Sequence, residues 1–168
     1  MRTSTRKGNK MQINYNELRR LAKKSEKSRP IFTQLQVKDG KAYWTNAIIL
    51  IEFHQGYEKT PDMIIDLNSL QANRLIGAYP TLDAIIKRGH EAKKPEFKQE
   101  VVDGKVVYSV DSVNGPKLMI DEEIINQFKK LMVGTDYEFK IEDLVMIGPA
   151  VILRRDEFTI HHTLKRFQ

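Results

Sequence analysis

The apolar positions of this chain change period several times, and each change marks an element. Leu18, Leu21, Ala22 and Ser25 recur at i, i+3, i+4 and i+7. That spacing predicts a helix with one narrow buried stripe and Arg19, Arg20, Lys23, Lys24 and Lys27 on the opposite face. Asn14 or Asn16 supplies its cap, because a short side-chain acceptor satisfies the first free N–H groups. Arg29-Pro30 ends it, since the residue before proline avoids helical geometry. A short strand is expected just ahead, at 10–14. Residues 31–38 and 41–53 read as strands joined at Asp39-Gly40, a pair that accepts the positive φ of a tight hairpin turn. The second run is expected to be one long central strand, bent near Asn46.

The pattern is less regular in the middle. Residues 63–67 predict a strand, 70–76 a short helix broken by Gly77, and 81–87 a helical turn after Pro80. Residues 90–96 (HEAKKPE) predict a charged loop. A second hairpin is expected from 97–102 and 105–110 around Asp103-Gly104, followed by a turn at Asn114-Gly115-Pro116. A strand at 117–120 then leads into a second amphipathic helix. Asp121 is its cap, and Glu122 and Glu123 occupy the first turn, where the helix dipole favours anions. Ile124, Ile125, Phe128, Leu131 and Met132 form the buried stripe. Asn126, Gln127, Lys129 and Lys130 are left outside, and Gly134 is the expected stop. Strands are predicted at 137–141, 150–154 and 158–164.

The two helical units repeat in pattern. A shift of 107 residues lays KMQIN on KLMID, Leu18 on Ile125 and Leu21 on Phe128. The same shift lays Arg19, Arg20 and Lys23 on Asn126, Gln127 and Lys130. Each unit reads as strand, cap, amphipathic helix and then several strands. The fold class expected is α+β, with two packed antiparallel sheets and two helices on one face.

Charge sharpens the picture. The 168 residues carry 28 basic and 22 acidic side chains, a net of +6. Residues 1–30 hold ten basic residues against Glu17 and Glu26, so this segment carries the whole positive excess. Such asymmetry points to a polyanionic partner. Residues 1–9 are polar, basic and without apolar period, and are expected to be a disordered tail. The length suits about one domain, taken here as 10–168.

The chemistry that composition allows is narrow. There is no cysteine, which removes disulfides, thiol nucleophiles and Cys-ligated metals and fits a reducing, cytoplasmic setting. The longest apolar run, 47–51, is far short of the roughly 20 residues of a membrane helix. Neither a phosphate-cradling glycine loop nor an HExxH or GxSxG motif occurs. His161 and His162 are adjacent in a strand pattern, point to opposite faces, and read as surface or edge residues. Asp39, Asp103 and Asp121 are accounted for by turns and a cap. No enzymatic activity, metal or cofactor is expected. Tyr43, Trp44 and Phe53 offer stacking platforms for a single-stranded nucleic acid, against the competing role of core packing.

Several segments together resemble the DNA sliding clamps, the processivity factors of DNA polymerases. MQINYNELRRLAKK looks like the opening strand and helix of a bacterial clamp domain. RPIFTQLQVKDGKAYWTN resembles the stretch after it, with Pro30, Ile31, Asp39, Gly40, Ala42 and Thr45 matching and Asn46 in place of the usual acid. GAYPTLDAII resembles the end of a clamp domain. KLMIDEEIINQFKKL and GPAVILRRDEFTIHHTLKRF resemble its closing half. The likeness implies a DNA-clamp-like fold with a pseudo-twofold βαβββ repeat, in half-units at about 10–60 and 117–167 around an irregular centre. It also implies helices that face a DNA backbone through Arg19, Arg20, Lys23, Lys24, Lys27, Gln127, Lys129 and Lys130. The implied function is sequence-independent DNA binding in replication, with self-association, a polymerase or other replication protein as partner, and no membrane. The chain departs from the family in holding one domain's worth of sequence, as a small phage-like member would, and in lacking the family's ending over 161–168. Two alternatives stay open: a non-ring binder of single strands, and a regulatory module that mimics a clamp domain and binds replication proteins.

Overall fold

The structure, a computed structural model, describes residues 11–27, 30–74, 82–112, 115–134 and 139–167. Its described residues form an α+β fold with three α-helices and antiparallel sheets of two, eight and four strands. The expected tail, Gly77, Asn114 and residues 137–138 of the strand expected at 137–141 lie outside the described residues.

Strand β1 (Gln12–Ile13) runs into helix α1 (Tyr15–Ser25). Asn14 is the cap: its Oδ1 accepts from the N–H groups of Asn16 at 3.1 Å and Glu17 at 3.3 Å. Glu17, Leu18, Leu21 and Ala22 form the buried face. After a 3₁₀ turn (Pro30–Thr33) come β2 (Gln34–Lys38), β3 (Lys41–Thr45) and β4 (Ile49–Phe53). The Asp39-Gly40 turn has φ of 53° and 80°, as expected.

The long central strand expected over 41–53 is instead two strands, and β3 and β4 pair antiparallel. Side chains drive the reversal. Asn46 Oδ1 accepts from the N–H groups of Ile48 at 3.0 Å and Ile49 at 2.8 Å. Thr45 Oγ1 accepts from Ala47 N–H at 3.1 Å, and Ala47 takes φ of 76°. An Asx turn inside an apolar run has made a hairpin without glycine.

Strand β5 (Met63–Asp66) follows, and Ala72–Arg74 is strand β6, not part of the expected helix. Asp66 Oδ1 accepts from the N–H groups of Asn68 at 2.8 Å and Ser69 at 3.1 Å, which closes the turn between them. Helix α2 (Asp83–Gly89) and the hairpin of β7 (Lys98–Val102) and β8 (Lys105–Val110) come next. Strand β9 (Leu118–Ile120) leads to helix α3 (Glu122–Leu131), capped by Asp121 Oδ1 on Ile124 N–H at 3.1 Å. Met132 was expected on the helical stripe but begins β10 (Met132–Val133), so the helix stops before Gly134. Beyond a 3₁₀ turn (Ile141–Asp143) lie β11 (Val145–Ile147), β12 (Ala150–Arg154), β13 (Phe158–Thr163) and β14 (Lys165–Arg166). Ile141 thus sits in a turn instead of closing a strand.

The eight-stranded sheet has the order β11-β12-β13-β4-β3-β2-β5-β6. Its middle is the antiparallel pair β4–β13, where Phe53 faces Phe158, Ile51 faces Ile160 and Ile49 faces His162. The four-stranded sheet has the order β14-β9-β8-β7, and β1 pairs with β10. One apolar core joins the stripes of α1 and α3 to one face of the large sheet, including Leu35, Val37, Trp44, Ile51, Leu153 and Ile160. Trp44 is fully buried, and its Nε1–H donates to Phe32 O at 2.6 Å.

His161 and His162 point to opposite faces, but both are buried, 6% and 7% exposed, not surface residues. Their strand is central, and each face is covered. His162 lies under α3 against Phe128, with ring centroids 5.7 Å apart. His161 lies on the other face, where its Nε2 is 2.6 Å from Glu52 Oε2. Helix α2 closes over that face at Gly89, where a Cβ would stand 2.9 Å from His161 Cε1 and 3.3 Å from Ile152 Cδ1. Among the described residues, no helix is long and apolar enough to cross a membrane.

Candidate nucleic-acid interface

Helices α1 and α3 lie side by side and antiparallel. Asn14 N–H donates to Leu131 O at 2.7 Å, and one turn further on Gln127 Nε2 donates to Glu17 Oε2 at 3.0 Å. Their apolar stripes are spent on the core, so their outer faces carry the charge. Arg19, Arg20, Lys23, Lys24, Lys27, Lys129 and Lys130 are all exposed. Gln127 is half-buried between the helices.

These cations are not equivalent. Arg20 grips Glu17 in bidentate fashion, Nε to Oε1 at 2.8 Å and a terminal nitrogen to Oε2 at 2.7 Å. Its charge is therefore matched. That bond, helped by Gln127 and by the nearby Lys130 and opposed by burial, holds the Glu17 carboxyl below its ordinary range, and it raises Arg20 further. Arg19 and Lys23, with Asn16 and Asn68, line a groove of about 550 Å³ beside α1. Asn68 Nδ2 reaches Glu26 Oε2 at 3.1 Å across it, tying the β5–β6 turn to the end of α1. Lys130 stands within Coulombic range of Glu17, whereas Lys129 lines a separate groove with Lys94, Phe139 and Lys140. Among the described residues, Arg19, Lys23, Lys24, Lys27, Lys129 and Lys130 make no ion pair of 4.0 Å or less.

Glu17 is not among the residues the sequence marks for DNA contact, although Glu17 and Arg20 are three apart on a helix, the spacing of surface ion pairs. What sequence lacked was the second helix, which supplies Gln127 and buries the carboxylate to 8% exposure.

The foot of α3 is anchored separately. Lys165 Nζ is 2.7 Å from Asp121 Oδ2 and 2.8 Å from Glu123 Oε2. The stacking platforms fare less well than the cations. The indole and phenyl rings are spent on packing, with Trp44 fully buried and Phe53 3% exposed under Tyr15, 5.6 Å centroid to centroid. Tyr43 is half-buried on the opposite face of the sheet.

Comparison with protein-family models and with curated proteins returns no match to this chain.

Proposed function

We propose that this chain is a clamp-like, sequence-independent DNA-binding accessory protein of replication, without catalytic activity, whose copies close into a ring around duplex DNA. The observation that carries the reading is the shared outer face of α1 and α3. Two antiparallel helices tied by Gln127 and Glu17 present, beside the paired Arg20, cations that no carboxylate among the described residues engages within 4.0 Å. Lysine and arginine on such a face suit phosphate contacts, which carry no base information and permit sliding.

The topology supports the finer fold reading, a pseudo-twofold repeat. A shift of 109 residues carries Gln36 opposite Tyr43 onto Val145 opposite Ile152, so the β2–β3 and β11–β12 hairpins share one register. The two halves then meet across β4 and β13 with Ile51 opposite Ile160. A 3₁₀ turn precedes the first strand of each hairpin. A DNA polymerase is the natural partner of such a protein, and a phage-like replication setting its context.

Fluorescence anisotropy with duplexes of unrelated sequence tests the reading. Arg19, Lys23, Lys24, Lys27 and Lys130 meeting five phosphates give a slope of about −4.5 in log affinity against log salt, roughly a five-hundredfold loss between 50 and 200 mM. Equal affinity for all duplexes and a slope near that value are expected. Affinity unchanged by Lys23→Glu with Lys24→Glu at low salt would falsify the contact surface.

A further inference from the structure

We infer that Glu17 is the positioning residue of this interface: by bonding Arg20 on its own helix and Gln127 on the other, it fixes the spacing of α1 and α3 and so favours duplex over single-stranded DNA. The inference rests on the DNA-binding reading and assigns it a specificity residue.

A carboxylate is out of place beneath a face that meets phosphates, because it repels them. Glu17 is nevertheless held in the seam between the two helices. It is 8% exposed, takes two bonds from Arg20 at 2.8 and 2.7 Å, and takes a third from Gln127 at 3.0 Å. The other acid of the basic segment, Glu26, is exposed at the end of α1. An apolar residue at position 17 would fill the helix contact equally well but would leave Arg20 loose and Gln127 without its acceptor. What the carboxylate adds is direction. It holds the guanidinium beside α1, and it pins one helix to the other a turn away from the Asn14–Leu131 bond. Two bonds at different heights set the angle of two rods as well as their separation.

Duplex DNA presents two phosphate rows at a spacing that changes little. A single strand is flexible and adapts to any arrangement of cations. Fixed helix spacing therefore contributes to duplex affinity and little to single-strand affinity. Removing one negative charge, by contrast, strengthens both.

The test compares Glu17→Leu, which removes both the charge and the acceptor, with the unaltered protein on a duplex and on one of its separated strands, at matched salt. Single-strand affinity is expected to rise with the lost charge while duplex affinity falls. The duplex-to-single-strand ratio then drops by about threefold or more. Gln127→Leu cuts the bridge without changing charge and keeps the Arg20–Glu17 pair, so the ratio is expected to drop there too, by the same factor. It also guards against Glu17→Leu failing to fold, which circular dichroism would report. A ratio that falls by less than threefold in the folded variants overturns the assignment and leaves the DNA-binding reading in place. Absence of duplex binding by the unaltered protein overturns both.

Discussion

Replacing His161 by leucine isolates the most buried carboxylate–imidazole contact among the described residues. The Glu52 carboxylate is 7% exposed, and its Oε2 lies 2.6 Å from His161 Nε2. His161 sits between Leu50 and Ile152 on the neighbouring strands, with Gly89 of α2 packed on its ring. Leucine fits that row in size and polarity, so packing is nearly conserved. The carboxylate is left without its bonded partner, in a pocket of about 330 Å³ between α2 and the sheet that His54 and Arg154 also line. Breaking a buried pair from one side costs about 3–5 kcal/mol. With an m-value of about 2 kcal/mol/M, the urea midpoint falls by about 1.5–2.5 M. The double variant Glu52→Leu, His161→Leu removes both polar groups and should recover most of the loss, because an apolar replacement of a buried pair is often neutral. Equilibrium urea unfolding of the four proteins at pH 7.5 closes the cycle, with a coupling of about 3 kcal/mol expected. A His161→Leu variant within about 1 kcal/mol of the parent would refute the reasoning. The pair would then be solvated, and α2 would not be seated on the sheet.

Other expectations follow from the same contacts. Lys23→Ala with Lys24→Ala should shallow the salt slope of duplex binding by about 1.8, since each lost phosphate contact contributes about 0.9; an unchanged slope would remove α1 from the contact. Stability should fall on acidification. The Arg20 bond holds the Glu17 carboxyl below the ordinary 4.5. Burial pushes the Asp121 carboxyl up, but the bonds from Lys165 and Ile124 N–H outweigh it and hold it below the ordinary 3.8. Depressed carboxyls contribute stability above their unfolded values and lose it as the pH drops through the folded ones. The urea midpoint should therefore begin to fall below about pH 6.5, where burial keeps His54 and His162 from taking the proton that the unfolded chain accepts, and fall further below about pH 4 as the carboxyls protonate; a midpoint that rises over that interval contradicts the contacts. Trp44→Phe removes the donor to Phe32 O and should cost about 1–3 kcal/mol in the same assay, as a buried carbonyl loses its partner.

Local chemistry made much of this fold legible. Both long helices begin where a side-chain cap precedes an apolar stripe at helical spacing, at Asn14 and at Asp121. The Asp-Gly turns name themselves, because few other pairs accept positive φ twice. What stayed hidden depends on contacts distant in sequence. The β3–β4 reversal runs through Ala47 at φ 76°, held by bonds from Thr45 and Asn46 within an apolar run that has no turn signature of its own. Strand β6 is three residues long and exists because β5 offers it an edge. The burial of His161 requires α2 on the far face of the sheet, and nothing in the neighbouring sequence encodes that lid. At the candidate interface the cations were readable from helical period alone. Their inequality was not: Arg20 is neutralised and Lys130 is aimed toward α1, while Lys129 turns to another groove.

Topological retention tests the central claim most directly. The protein is loaded on nicked circular duplex DNA at low salt and challenged with moderate salt, before and after the circle is cut, while light scattering gives the mass of the free and bound protein. A closed oligomer of about six subunits is predicted, retained on the circle and lost from the cut ends. A monomer or dimer released equally from circular and linear DNA would contradict the ring.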